Sequence, residues 1–430
     1  MKAEIILVGS ELLTPDRVDT NSLFLTAQLN RLGIEVVRKT TVGDDPENLG
    51  RVFRAALESA TFVFASGGLG PTEDDLTRET LAATLRRPLV QNDEIVKDLE
   101  AKFRRFGRPM PQINLKQAQV PVGATVLPNP RGTAPGLWVE DGQHVVVLLP
   151  GPPRELEPMF TEQVVPRLET RVTGARLYSR ELKVAGMGES AVDQAIAPIY
   201  KGYSDIQTTL LHVIGEIQVH LRLWSEDSAA ATRRLDEIVE RIALALGEAL
   251  FTRTGQSMEQ VVAHELTWRG ATIAVAESCT GGMLGERLTR LPGSSAYFVG
   301  GVISYGNELK SAWLDVPREL IDSKGAVSDE VAVAMARAVR RRAGTTLGLS
   351  ITGIAGPTGA TEGKPVGTVH IALADADRVE ARAFKFPGDR DRVRGQATMA
   401  ALDMIRRYYL HTPATDKTIG SFESAKSARQ

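Results

Sequence analysis

Residues Phe62-Val63-Phe64-Ala65-Ser66-Gly67-Gly68-Leu69-Gly70 run from a short apolar segment straight into a glycine-rich loop. An apolar run of this length, rich in aromatic residues and closed by glycine, predicts a buried strand. The preceding residues alternate apolar runs with amphipathic helical stretches, at 5–8, 21–32, 36–40 and 46–59. This alternation predicts a parallel sheet that is covered by helices on both faces.

Two further regions follow this first domain. The middle region is predicted to be a small α+β module, with strands and helices at 177–184, 190–199, 217–223 and 228–246. The last region is predicted to be another α/β domain, with strands at 272–276, 298–305, 347–352 and 367–374. The expected fold class is therefore multidomain α/β, divided as 1–168, 169–254 and 255–412, with a flexible tail over 413–430.

The composition excludes several classes of protein. The 51 basic and 53 acidic residues leave a formal charge of −2, so no nucleic-acid surface is expected. No apolar stretch approaches the ~20 residues of a membrane span, so no membrane partner is expected. Cys279 is the one cysteine, which rules out an internal disulfide and favours a cytoplasmic location. No histidine pair has the spacing of a zinc site.

The glycine loop after the third predicted strand is a candidate anion site. Gly67, Gly68 and Gly70 would let backbone N–H groups approach a phosphate closely, at the sheet edge where open α/β sheets bind ligands. Asp74 and Asp75 lie just beyond and, with Asp44 from another loop, are candidates to hold a divalent cation. The alternative is an ordinary turn in which Asp74 or Asp75 caps the next helix.

Small hydroxyl residues, one lysine and tight glycine turns gather in four stretches of the last domain, at 276–282, 292–295, 305–310 and 351–357. Ser278 and Thr280 fall where a strand meets a helix, so with free N–H groups there they could bind a phosphate or carboxylate, or simply cap the helix. Ser295 and Lys310 could form a serine–lysine pair assisted by Tyr305, provided that burial lowers the lysine pKa.

Other residues of this domain could complete such a site. Thr352 could direct a hydroxyl or an N–H group at a developing oxyanion. Arg390 and Arg392 could bind a phosphate or carboxylate at a helix start, although Asp389 could equally cap that helix. Cys279 is expected to be a small buried residue, because no histidine is near it in sequence to activate a thiolate.

Residues 1 to about 165 resemble the molybdopterin-binding fold, through Gly67-Gly68-Leu69-Gly70 with Asp74 and Asp75. They are more similar to the N-terminal domain of the CinA family, through 129–136 and Leu149-Pro150-Gly151-Pro152-Pro153-Arg154-Glu155. This resemblance implies hydrolysis of the ADP-ribose pyrophosphate with a divalent cation of the Co²⁺ or Mg²⁺ type. The Nudix signature of most ADP-ribose hydrolases is absent.

Residues 258 to about 410 resemble the nicotinamide-nucleotide amidase domain of the same family, through 276–282, Gly293-Ser294-Ser295, 352–357, 364–368 and 386–391. The resemblance implies conversion of nicotinamide mononucleotide to nicotinic acid mononucleotide and ammonia, without a cofactor, by a homodimer. It implies Ser295 as nucleophile, Lys310 as base and Tyr305 assisting, with Ser278 and Thr352 positioning substrate or stabilising the oxyanion. The candidates for substrate binding are Thr280, Gly281, Asn307, Gly353, Arg390 and Arg392.

The sequence thus predicts a bifunctional hydrolase of pyridine nucleotides, with Ser278 kept as a second candidate nucleophile. One alternative is a single-activity amidase whose N-terminal domain only binds a nucleotide or molybdopterin. Another is a non-enzymatic partner of DNA-uptake machinery, which the near-neutral charge disfavours.

Overall fold

The computed structural model describes residues 1–105, 107–172 and 174–412, so the predicted tail 413–430 lies outside the described residues. The described chain divides into two compact units, one within 1–178 with 223–232 and one within 179–222 with 233–412. Both units combine helices with sheets, which confirms the predicted α/β class. The division into three domains stays a prediction.

The first unit is built on a six-stranded sheet of order β2-β1-β3-β8-β7-β6. Its strands are β1 (Lys2–Val8), β2 (Glu35–Val42), β3 (Phe62–Ser66), β4 (Leu89–Gln91), β5 (Gln119–Pro121), β6 (Thr125–Leu127), β7 (Gly136–Asp141) and β8 (His144–Leu149), β4 and β5 forming a separate pair. Its helices are α1 (Asn21–Arg31), α2 (Pro46–Ser59), α3 (Thr77–Thr84), α4 (Asp93–Arg105), α5 (Pro153–Met159) and α6 (Val165–Glu169).

Helices cover both faces of this sheet, as predicted. Successive side chains of a strand point to opposite faces, so Ile5 and Leu7 pack with α1, α5 and α6, while Ile6 and Val8 pack with α2 and α3. The strands on which this prediction rests, β1, β2 and β3, are parallel as predicted, whereas β6 and β7 run antiparallel to the strands they pair with. Strand β7 is antiparallel to β8 because a connection of two residues joins them, and so short a turn can join only antiparallel strands.

The rest of the described chain holds two more sheets. Its strands are β9 (Arg176–Ala185), β10 (Ile206–Val213), β11 (Glu216–Ser225), β12 (Leu250–Thr252), β13 (Ile273–Glu277), β14 (Phe298–Ile303), β15 (Leu347–Gly353), β16 (Thr368–Ala374) and β17 (Val379–Lys385). Its helices are α7 (Glu189–Tyr200), α8 (Ser228–Leu246), α9 (Met258–Trp268), α10 (Met283–Thr289), α11 (Asn307–Leu314), α12 (Arg318–Lys324), α13 (Asp329–Ala343) and α14 (Arg390–Leu410).

The first of these sheets has the order β10-β11-β9-β12. Strand β10 lies at its edge and was not predicted, because most of its side chains are at least partly exposed and give no apolar alternation. A two-residue turn, Ile214–Gly215, joins β10 to β11.

The last sheet has the order β14-β13-β15-β16-β17, and its first three strands are parallel. Helices α9, α10 and α14 pack on one face, and α11, α12 and α13 pack on the other. Strand β14 forms an edge, where Val299 and Ile303 are exposed. The carboxyl ends of β13, β14 and β15 meet at one end of the sheet, and the polar segments that follow them meet there too.

Candidate functional site

A buried lysine lies beside a serine hydroxyl at this end of the sheet. Ser278 follows β13 directly, and Lys310 lies in the first turn of α11, just beyond β14. The Lys310 Nζ is 3.1 Å from Ser278 Oγ and also donates to the carbonyls of Ser304 at 2.8 Å and Tyr305 at 3.3 Å. Lys310 is only 1% exposed, and this burial lowers the pKa of its amine.

Ser295 does not lie beside Lys310, so the predicted pairing of these two residues is wrong. Ser295 is exposed and belongs to a short 3₁₀ helix before β14, whereas Lys310 follows the opposite end of that strand. The six residues of β14 span roughly 20 Å, at about 3.3 Å per residue. Ser278 occupies the position beside the lysine because β13 and β14 are parallel and end together.

Glu277, which sequence reasoning missed, occupies the helix start that was expected to bind an anion. Its carboxylate is buried and accepts N–H groups from Gly282 at 3.0 Å, Leu284 at 3.0 Å and Gly285 at 2.8 Å. A substrate anion therefore finds this N-terminus already neutralised. The signal in the sequence was an acid at a strand end just before a glycine turn.

Arginines of α14 donate hydrogen bonds to groups next to Ser278 and Lys310, and this set of residues is called the pocket. Arg390 donates to the Gly356 carbonyl at 2.9 Å and to Tyr305 Oη at 2.8 Å, and Arg394 donates to the Thr280 carbonyl at 2.9 Å. Residues four apart share a helix face, whereas residues two apart do not. Arg392 is therefore not placed with Arg390; it is exposed, and the missed residue Arg394 takes the position beside Arg390.

Thr352 and Thr280, both predicted, differ in whether their hydroxyls are free, and Ser304, which was not predicted, resembles Thr280. Thr352 is buried, but its hydroxyl donates to the Ala326 carbonyl at 2.7 Å, so it is not free to donate to an oxyanion. Thr280 and Ser304 are fully buried, and neither hydroxyl has a hydrogen-bond partner within the described ranges. These two hydroxyls therefore have unused hydrogen-bonding capacity that a bound molecule could satisfy.

Three more candidates lie at the ends of the elements that form the pocket. Gly281 lies in the turn before α10, Asn307 is the exposed first residue of α11, and Gly353 ends β15. A Cβ on Gly353 would lie 2.8 Å from the Thr368 carbonyl oxygen, so this position needs glycine. Their roles in binding stay predictions.

Cys279 is 5% exposed, as its sequence context indicated. Burial raises the pKa of its thiol to about 11. A thiol with this pKa carries almost no thiolate near neutral pH, so Cys279 is not placed to act as a nucleophile.

A cleft of about 740 Å³ opens in the first unit at the carboxyl ends of β1, β3 and β8. The predicted loop Gly67–Gly70 lines it, and so do Asp44, Asp74 and Asp75. Gly67 has φ of +106°, and a Cβ there would lie 2.0 Å from the Val8 carbonyl oxygen, so only glycine brings the loop this close to β1.

The three acids share the cleft without forming one set of ligands. Asp44 accepts the Ser10 N–H at 2.8 Å, and Asp75 accepts the Thr72 N–H at 3.0 Å. The Thr72 hydroxyl lowers the pKa of Asp74, which is exposed. In the part of the chain that the structure describes, no three Asp, Glu, His or Cys side chains cluster closely enough to hold a metal ion. Asp44, Asp74 and Asp75 therefore stay separate candidates for a metal ligand, as predicted ligands that the structure does not bring into one group.

Arg78 supports the glycine loop from behind and was missed in the sequence. It is 1% exposed and donates to the carbonyls of Leu69 at 3.0 Å and Lys116 at 2.9 Å. Burial lowers the pKa of this guanidinium, yet arginine stays charged at any relevant pH. Its charge therefore lies directly beneath the loop that borders the cleft.

Comparison with known proteins matches three family models to the chain. They are "Probable molybdopterin binding domain" over residues 4–170, "Damage-inducible protein CinA KH domain" over 179–252 and "CinA C-terminal domain" over 255–409. In the described ranges, no helix is both long and apolar enough to span a membrane.

Two curated relatives are similar over nearly their whole length. A CinA-like protein of Solibacter usitatus is 49% identical over 407 residues, which cover 95% of this chain and 98% of the relative. A CinA-like protein of Koribacter versatilis is 46% identical over 411 residues, which cover 95% of this chain and 99% of the relative. A solved competence-damaged protein (CinA) superfamily member from Klebsiella pneumoniae is 31% identical, with 36% of this chain and 100% of that chain covered and a TM-score of 0.36.

Proposed function

The chain belongs to the CinA family, and on that premise we propose that it hydrolyses the carboxamide of nicotinamide mononucleotide to nicotinic acid mononucleotide and ammonia. The observation that carries the proposal is the 3.1 Å distance between Lys310 Nζ and Ser278 Oγ. A buried amine beside a serine hydroxyl supplies the base that a serine nucleophile needs.

The surroundings of Lys310 suit the neutral amine. A neutral lysine has two N–H donors and one lone pair, and the amine has two carbonyls and one hydroxyl around it. The two carbonyls of Ser304 and Tyr305 take the donors, which leaves the lone pair for the Ser278 proton. Burial favours this form because it penalises the charged one.

The reaction proceeds in two steps, acylation of Ser278 and hydrolysis of the acyl ester. Ser278 Oγ attacks the carboxamide carbon while its proton passes to Lys310 Nζ, and Lys310 then returns that proton to the leaving nitrogen as the C–N bond breaks and ammonia departs. In the second step Lys310 takes a proton from water, which attacks the acyl ester. Lys310 returns this proton to Ser278 Oγ as the ester C–O bond breaks, and the carboxylic acid product releases its remaining proton to solvent as it leaves as the carboxylate.

Two groups of residues orient the substrate in this proposal. We assign the Thr280 hydroxyl to the developing oxyanion, because Thr280 lies two residues after Ser278 and its buried hydroxyl has no partner in the described ranges. Arg390 and Arg394 bind the phosphate, because both guanidinium groups reach the pocket and arginine pairs well with phosphate. Arg392 has no part in this assignment.

The test is ammonia release from nicotinamide mononucleotide without added metal, by the parent, Ser278→Ala and the matched control Ser295→Ala. Removing a nucleophile that acts with its base costs about 10³-fold or more in kcat. We therefore expect Ser278→Ala to lose at least that much and Ser295→Ala to stay close to the parent. Loss in Ser295→Ala alone, or no release by a folded parent, contradicts the proposal.

A second candidate function is favoured by the 740 Å³ cleft of the first unit. Its glycine loop and the buried charge of Arg78 suit the pyrophosphate of ADP-ribose. We propose binding of ADP-ribose there, with hydrolysis when a divalent cation is present. Asp74 and Asp75 would contribute at most one or two carboxylates, so the nucleotide's own phosphates would supply further oxygen ligands. The cation would neutralise phosphate charge.

Thermal stabilisation by ADP-ribose, with and without Mg²⁺, tests this second function. We expect Asp74→Asn to lose the part of the stabilisation that requires Mg²⁺. Asp16→Asn, an exposed aspartate that does not line the cleft, should keep it. Equal stabilisation of parent and Asp74→Asn would remove Asp74 from the proposed site.

A further inference from the structure

The first two turns of α14 carry the arginines of the pocket and also contact a hairpin turn from the small sheet. From these turns Arg390 donates to the Gly356 carbonyl and Arg394 donates to the Thr280 carbonyl. The residue after Arg394 is Gly395, which packs against Ile214 of the turn between β10 and β11. One turn further along α14, Met399 packs against Gly215.

This contact is closer than side chains at the two glycines would allow. A Cβ on Gly395 would lie 2.7 Å from Ile214 Cγ2, and a Cβ on Gly215 would lie 2.7 Å from Met399 Cβ. Glycine inside a helix is unfavourable compared with alanine. The close approach of the hairpin turn therefore explains why glycine occupies position 395, which helix stability alone would disfavour.

This sheet region also contacts α14 away from the hairpin turn. Near the other end of the helix, Arg406 donates to the Glu248 carbonyl at 2.6 Å, and Arg407 pairs with the Glu248 carboxylate at 3.3 Å. These bonds are about three helical turns away from Gly395. The contact at Gly395 can therefore be altered while the distant attachment stays in place.

We propose that the turn Ile214–Gly215 positions the substrate-phosphate site, by holding the first two turns of α14 and with them Arg390 and Arg394. This inference rests on the proposed function, because it takes the two arginines as ligands of the substrate phosphate. The turn itself does not touch substrate. Its effect is to fix the depth at which both guanidinium groups enter the pocket.

The test is Gly395→Ala, whose added Cβ would lie 2.7 Å from Ile214 Cγ2, so that the Ile214 side chain, the turn or α14 has to shift. A displacement of the order of 1 Å at a positioned group can cost up to about 100-fold, so we expect about a tenfold weaker Kd for nicotinamide mononucleotide by calorimetry. Nicotinamide riboside, which lacks the phosphate, should bind Gly395→Ala as it binds the parent. A merely structural defect would weaken both ligands.

The double variant Gly395→Ala with Ile214→Ala removes Cγ2, which the new Cβ would meet, and should restore the affinity for the mononucleotide. Gly50→Ala is the matched control, since that helical glycine has no atom closer than 3.5 Å to an added Cβ. An unchanged Kd in Gly395→Ala, or equal losses for both ligands, overturns the proposal. If the parent binds neither ligand and releases no ammonia, the proposed function itself is wrong. Ligand binding and ammonia release by the parent therefore distinguish that failure from a failure of the positioning role alone.

Discussion

At the scale of single residues, Lys310 controls the pH dependence of the proposed reaction. Burial lowers the pKa of its amine below the ordinary value of 10.5, and the neutral amine is the active form. We therefore predict that kcat/KM for nicotinamide mononucleotide rises with pH through this lowered pKa and then levels off. A rate profile from pH 6 to 10 measures it, and a profile that falls over this range contradicts the role as base.

Folding stability gives an independent readout of the same amine. Below the folded pKa both states bind the proton; between the folded pKa and 10.5 only the unfolded chain does, so stability rises with pH there. The slope cannot exceed about 1.4 kcal/mol per pH unit for one group. Urea unfolding of the parent and Lys310→Met at several pH values should show the parent gaining on the variant across that window.

Single-residue patterns showed which residue types the pocket needs but not which of them meet. Pro292-Gly293-Ser294-Ser295 and the segment around Ser278 looked equally suitable, since both combine small hydroxyl residues with a turn. Which of the two serines lies beside Lys310 depends on the direction and pairing of β14, and a local sequence pattern does not contain this information. Arg394 was missed because helical phase at the start of α14 decides between it and Arg392.

At the scale of elements, Glu277 stabilises the start of α10. Its two oxygens accept three backbone N–H groups, and a glutamine has only one oxygen to accept them. We predict that Glu277→Gln lowers the free energy of unfolding by about 1–3 kcal/mol, the usual cost of leaving buried donors unpaired. Chemical denaturation measures this loss.

Glu286→Gln serves as the comparison for that experiment. Glu286 lies on the same helix but is exposed and paired with Arg290 at 2.8 Å. Exposed pairs contribute little, so the change should stay within about 0.5 kcal/mol. Equal effects of the two substitutions would show that Glu277 does not act as a helix cap.

Elements with strong periodicity were predicted well. The predicted bounds of α2 (Pro46–Ser59) and α8 (Ser228–Leu246) agree with the structure, and β3 differs by one residue. Elements such as β10 and α12 were missed, because an exposed edge strand and a seven-residue helix bury too few apolar side chains to show a period.

At the scale of the whole molecule, the two proposed sites draw their residues from different compact units. The residues lining the large cleft belong to the first unit, and Ser278, Lys310 and the pocket arginines belong to the second. Substitutions at sites that share no partners usually add. We predict that Asp74→Asn leaves ammonia release unchanged, that Ser278→Ala leaves ADP-ribose binding unchanged, and that the double variant shows both losses. Loss of both functions in either single variant would contradict independence.

The open side of β14 also bears on how the protein behaves when concentrated. This strand pairs only with β13 in the described sheet, and its exposed side chains include Val299 and Ile303, 57% and 49% exposed. An unpaired apolar edge offers backbone hydrogen bonds to any extended segment of a neighbouring molecule, and such pairing leads to aggregation. A lysine at position 299 would make this edge resemble the charged edges that natural sheets use to stay dispersed.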